Sequence, residues 1–281
     1  MGGKAAAGRK GRRLIVHLGV HKTASTAIQR HLQRNAAGLA DRLVVRTPQE
    51  GTPMRPLGRA ALAYSRSPCE DGAIALRVAL EDVLETLPAN GLPAILSHEN
   101  VAGSMPGKDG ETRLYPVLPD IARLVLKAAK GFEVEFVYYT RDMDIWRASV
   151  WAQAVRSEGY PRDYAAFLSE TGDLPGWDDL YGRMTAALGA GRVTRFRLED
   201  EADHARPGRQ LLRHAGLSGA EIDRLLPLDG PANERLSPSS TEFLRRLNGL
   251  AIHPHARRKV SDMVARAQHL FTTDTPSEGT S

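Results

Sequence analysis

Lys22, Thr23, Ser25 and Thr26 stand close together just after the apolar run Leu14-Ile-Val-His-Leu18. A cation and three hydroxyls at that spacing suit the binding of an anion. The local pattern strengthens this reading, because a buried strand ending at Gly19 would turn directly into a helix that starts near Thr23 to Ser25. Such a turn aims several backbone N–H groups at one point, where the helix dipole also favours negative charge. The expected ligand is a phosphate or a phosphosulfate. The plainer alternative is a helix N-terminus capped by Thr23 or Ser25, with Lys22 solvated. A nucleoside-triphosphate loop fits poorly, since G-x-x-x-x-G-K-[ST] would need glycines where Val16 and His21 stand.

The segment resembles the 5′-phosphosulfate loop of sulfotransferases that use 3′-phosphoadenosine 5′-phosphosulfate (PAPS), whose bacterial members show an H-K-T-G-T-T-like core. The resemblance implies that Lys22 contacts the phosphosulfate and its bridging oxygen, and that Ser25 and Thr26 bind the 5′-phosphate, with His21, Thr23 and Ala24 completing the loop. Ala24 departs from the usual glycine. Alanine is harmless there if the position is helical and costs stability if φ is positive.

A second stretch, Tyr138-Tyr-Thr-Arg-Asp-Met-Asp-Ile-Trp-Arg-Ala-Ser-Val-Trp-Ala-Gln153, is similar to the same family, including Trp146 and Gln153. By that resemblance Arg141, at the end of a strand, and Ser149, on the next helix, hold the donor's 3′-phosphate. A guanidinium fork suits phosphate, and a hydroxyl two turns on reaches another oxygen. Their plainer readings are a salt bridge from Arg141 to Asp142 or Asp144, and an ordinary helical serine. Weaker similarities lie in Ile95-Leu-Ser-His-Glu-Asn100 and in the stretch from Asn233 to Asn248. Sulfuryl transfer also needs a base. Glu99 is the first choice and His98 the second, since both follow a short strand that would end beside the loop. His17 reads as a satisfied strand histidine, and His21 flanks the site.

These residues need a scaffold that brings strand ends together. Apolar runs at Leu14–Leu18, Pro93–Ser97, Val134–Thr140 and Val193–Leu198 alternate with helical patterns at Ala73–Leu87, Ile121–Ala129, Asp178–Leu188 and Gly208–Ala215. Two more helices are expected over Ser239–Leu250 and His255–Leu270. Strands alternating with helices predict an α/β three-layer sandwich with a central, mostly parallel sheet. The resemblance makes this a P-loop NTPase-like sulfotransferase fold. One domain is expected over residues 13–271, between a basic, disordered tail at 1–12 and a flexible tail at 272–281. Loops that would shape an acceptor pocket are expected at Arg46–Gly72, Val101–Tyr115 and Ser157–Trp177.

Bulk properties exclude some classes. Cys69 is the single cysteine, so a disulfide within the chain and a thiolate metal cage are both ruled out. No run reaches the ~20 apolar residues of a membrane span, no signal peptide is recognised, and a cytoplasmic location is expected. The net charge of +5 favours anionic ligands without naming one. The resulting expectation is transfer from PAPS to a hydroxyl of a small molecule or a glycan, with no metal and no nucleic-acid partner. A nucleotide-dependent kinase and a non-catalytic anion-binding module are the alternatives.

Overall fold

The computed structural model describes residues 11–108, 110–230 and 236–271. The expected tails at 1–10 and 272–281, and residues 233–235 of the C-terminal similarity, lie outside the described residues. Strand β1 (Arg12–Leu18) is flanked by β3 (Ala94–His98) and β4 (Phe132–Thr140), with β2 (Val44–Arg46) and β5 (Val193–Arg197) outermost. The order is β2-β3-β1-β4-β5, and every pairing is parallel. β1 starts at Arg12, inside the stretch expected as tail, where its buried guanidinium donates to the Pro88 carbonyl at 2.7 Å.

Alternation along β1 divides the core between the two faces of the sheet. Leu14, Val16 and Leu18 join one cluster with α2 (Met54–Arg66), α3 (Glu70–Glu85), α4 (Leu118–Ala128) and α7 (Trp177–Leu188). Ile15 joins the other, with Ile28 and Leu32 of α1 (Ser25–Arg34) and Leu211 and Leu212 of α8 (Arg209–His214). These are the three layers that the sequence pattern predicts. α9 (Gly219–Asp223) lies on the second face, where its Ile222 is buried.

Two expected loops contain regular structure. Arg46–Gly72 holds α2, and Ser157–Trp177 holds α6 (Tyr164–Glu170). α2 buries Met54, Leu57, Gly58, Ala61 and Ser65. That stripe has helical spacing but little apolar bulk, and Pro53, Pro56 and Gly58 give it the composition of a loop. α3 begins three residues before the expected start, because Cys69 caps it by accepting the Gly72 N–H at 3.4 Å. The exposed thiol therefore has a structural partner.

Helix α5 (Met143–Gln153) leaves the end of β4 and runs into a π-helical turn, Ala154–Glu158. α10 (Pro238–Asn248) and α11 (Pro254–Arg266) form a hairpin over that turn. Its own small cluster is Val155, Leu244 and Val264. Asn248 donates to the carbonyls of Val155 (2.7 Å) and Tyr160 (3.1 Å), and Ser261 donates to that of Arg156 (2.9 Å).

Candidate active site

The C-terminal ends of β1, β3 and β4 open on a cleft of about 1090 Å³, with the hairpin as its far wall. Between β1 and α1 the chain makes a tight loop. Lys22 and Ala24 both have left-handed backbones, with φ of 65° and 64°. Left-handed residues set among right-handed ones turn consecutive N–H groups toward a common point and build an anion nest. α1 has no side-chain cap, so its first N–H groups remain for a ligand. Thr23 and Ser25 both donate to the Val20 carbonyl, at 2.6 and 3.0 Å, which ties the loop to itself. Thr23 is thereby fully buried and does not reach the cleft, whereas Ala24, Ser25 and Thr26 line it. The capping role considered for Thr23 or Ser25 is not realised.

Gly19 permits the loop to meet β3. A Cβ there would lie 2.8 Å from the Glu99 Cα, so no other residue fits without displacing the backbone. The close approach seats Glu99 on the cleft, where Gln29 donates to its Oε2 at 3.0 Å. Burial pushes the Glu99 carboxyl up, but the imidazole of His98 and the Gln29 amide outweigh it, and the group titrates below the usual carboxylate range. Glu99 is thus an anion at neutral pH, as a general base must be.

His98 points elsewhere. Its Nδ1 accepts the Asn100 N–H at 3.1 Å, and its ring packs where a side chain on Gly58 would be, 2.0 Å from a Cβ there. Burial lowers its pKa, and its use of Nδ1 as an acceptor requires the neutral ring. Its 3.8 Å approach to Glu99 is therefore a contact rather than an ion pair at neutral pH. β3 ends at His98 and Glu99 opens a short 3₁₀ turn, and of this pair only Glu99 lines the cleft. His17 is half satisfied: Nδ1 meets Ser97 Oγ at 2.7 Å, while the buried Nε2 has no partner.

His21 is clamped on several sides. Trp146 donates to its carbonyl at 2.8 Å, and the Tyr115 hydroxyl meets both its N–H and its Nδ1 at 3.1 Å. The two rings stack, 6.0 Å apart and 9° from parallel. Tyr115 itself sits at φ 46°, held by Arg183 donating to its carbonyl (3.1 Å) and to that of Leu114 (2.6 Å). Tyr115 Oη accepts the His21 N–H and also pairs with Nδ1, donating to it or accepting from it according to the tautomer of the ring. Burial drives the His21 pKa down to about 4, so the ring stays neutral across ordinary pH.

On the other side of the cleft mouth, Arg141 follows β4, and Trp177 donates to its carbonyl at 2.6 Å. The carboxylates considered as its partners have other roles. Asp142 caps α5 through the N–H groups of Asp144 (3.1 Å) and Ile145 (3.0 Å), and Asp144 pairs with Arg147 at 3.2 Å. Arg141 and Ser149 line the same cleft as Lys22 and Thr26. Lys22 Nζ donates to Gln153 Oε1 at 3.4 Å, joining the loop to α5. Trp146 and Gln153, quoted in the sequence similarity, are therefore the two residues by which α5 grips the loop. Gln29, Tyr115 and Arg183 were not singled out from sequence, because each acts on a partner far away along the chain.

Fold and site together define an α/β protein whose central parallel strand feeds a tight loop at the sheet's C-terminal edge, where a helix starts without a side-chain cap. No family model matches the chain, and no curated protein matches it. Among solved structures it is similar to the crystal structure of a sulfotransferase from Alicyclobacillus acidocaldarius, at 14% identity and a TM-score of 0.45. That match covers 94% of this chain and 98% of the other. Among the described residues no helix is long and apolar enough to cross a membrane.

Proposed function

We propose that the cleft transfers a sulfuryl group from PAPS to an acceptor hydroxyl. The observation that carries this reading is that two separate sets of cationic and hydroxyl side chains line one cleft. Lys22 and Thr26 lie at the head of α1, whereas Arg141 follows the end of β4 and Ser149 lies on α5. A donor charged at both its 5′ and 3′ ends fits such a pair, whereas ATP has no 3′-phosphate. The uncapped α1 and the left-handed Lys22 and Ala24 fit the 5′ group.

The donor supplies an activated sulfur whose bond to the bridging oxygen breaks as the acceptor oxygen attaches. Lys22 and the N–H groups of the loop stabilise the charge that collects on the departing phosphate. Glu99 takes the acceptor's proton. Arg141 and Ser149 hold the 3′ end, so that binding energy far from sulfur orients the reacting atoms.

Calorimetric titration with 3′-phosphoadenosine 5′-phosphate (PAP), compared with ATP and Mg²⁺, tests this reading. PAP is expected to bind in the micromolar range, and Arg141→Ala to weaken it by about 100-fold. Preference for ATP with Mg²⁺ would establish a phosphotransferase instead.

A further inference from the structure

The cleft continues beyond the loop, and α5 serves as a ruler along it. Ser149 and Gln153 lie one turn apart on the lining face, about 6 Å along the axis. Arg156 and Ser157 follow about 5 Å further on, in the π-helical turn. On the donor reading, Arg141 and Ser149 take the 3′ end, and Lys22, which reaches Gln153, marks the group to be transferred. An acceptor attacking in line must approach from the opposite side, where Arg156 stands.

That end of the cleft is cationic. It is lined by Arg156, Arg257, Arg258 and Lys108. Lys108 is neutralised by Glu158 at 3.0 Å, but the three arginines have no ion pair among the described residues. Asp262 is the one carboxylate that α11 adds to the lining. Arg257 is set in place by Gly159, the residue that ends the π turn, where a Cβ would come 2.5 Å from the guanidinium carbon. Arg156 is fixed from behind, through the bond from Ser261 to its carbonyl. Guanidinium groups gathered in a concave site raise the local concentration of anions and bind them in a fork.

We infer that the acceptor carries an anionic group, a carboxylate or a sulfate, beside the hydroxyl it offers, and that Arg156, Arg257 and Arg258 bind that group. The inference rests on the donor reading for which end of the cleft is which. The C-terminal hairpin thereby becomes the element that selects the acceptor.

Titration of the protein with glucuronate and with glucose, followed by NMR with and without saturating PAP, tests it, because the two sugars differ only at C6, where glucuronate has a carboxylate in place of the hydroxymethyl group. With PAP bound, glucuronate should bind at least about tenfold more tightly than glucose. The double variant Arg257→Ala, Arg258→Ala should lose that preference while its PAP affinity stays within about twofold. Arg257→Lys, which keeps the charge, should retain part of the preference. Equal binding of the two sugars, or a preference that survives the double variant, would overturn the inference. A fall in PAP affinity in the double variant would also overturn it, by assigning these arginines to the donor. If PAP fails to bind the wild type while the arginine-dependent preference remains, the donor reading fails and the anion site stands.

Discussion

The two walls of the cleft are built differently. The sheet-side wall hangs on β1, β3 and β4, all central strands, and its loop is tied by Val20, Tyr115, Trp146 and Gln153. The hairpin wall rests on a cluster of three buried residues, Val155, Leu244 and Val264, and leaves Leu250, Met263 and Leu270 mostly exposed. One wall is preorganised and holds the donor on the proposed reading, and the other is lightly anchored. Local stability follows burial and the density of protected hydrogen bonds, so the hairpin should open without the sheet.

The sharpest way to break this contrast is at the chemistry itself. Glu99→Gln should lower turnover by roughly 10³-fold while leaving PAP affinity nearly unchanged, because it removes a base and keeps the shape. A near-normal rate in a sulfuryl-transfer assay would place the base elsewhere. Tyr115→Phe acts one step back. It strips the His21 N–H of its acceptor and Nδ1 of its partner, and turnover should fall about tenfold. In ¹⁵N NMR the wild-type His21 should stay neutral until pH falls to about 4. In the variant the Nδ1 resonance should shift, because that ring atom loses its hydrogen-bond partner.

The hairpin wall should respond in a different way. Val264→Ala, costing about 1–2 kcal/mol, should speed amide exchange across α10, α11 and the π turn while β1 and β3 stay protected. Uniform acceleration would mean that the two walls unfold as one. The smallest effect is expected at Ala24. Its left-handed backbone strains any residue with a Cβ, so Ala24→Gly should stabilise the protein by about 1 kcal/mol in chemical denaturation.

The same contrast explains what could be read from the sequence. Strand, turn and helix are contiguous around Lys22, and again around Arg141 and Ser149, so local chemistry reveals them. The choice between Glu99 and His98 depended on which way the end of β3 faces, a one-residue phase that alternation alone leaves open. Tyr115 and Arg257 carry no local signal. One meets a loop 94 positions away and the other packs on Gly159, so only the fold pairs them. α2 was hidden for a compositional reason: Gly58, Ala61 and Ser65 make up most of its buried stripe, and its prolines and glycine resemble a turn.

The π-helical turn gives the two walls a measure of independence over evolutionary time. A single residue added to a helix rotates everything after it by about 100° while leaving what precedes it untouched. Gaining or losing one residue within Ala154–Glu158 would therefore re-index Arg156 and Ser157 against an unchanged Ser149. A lineage built on this scaffold could trade one acceptor for another in a single mutational step, without renegotiating how it grips the donor.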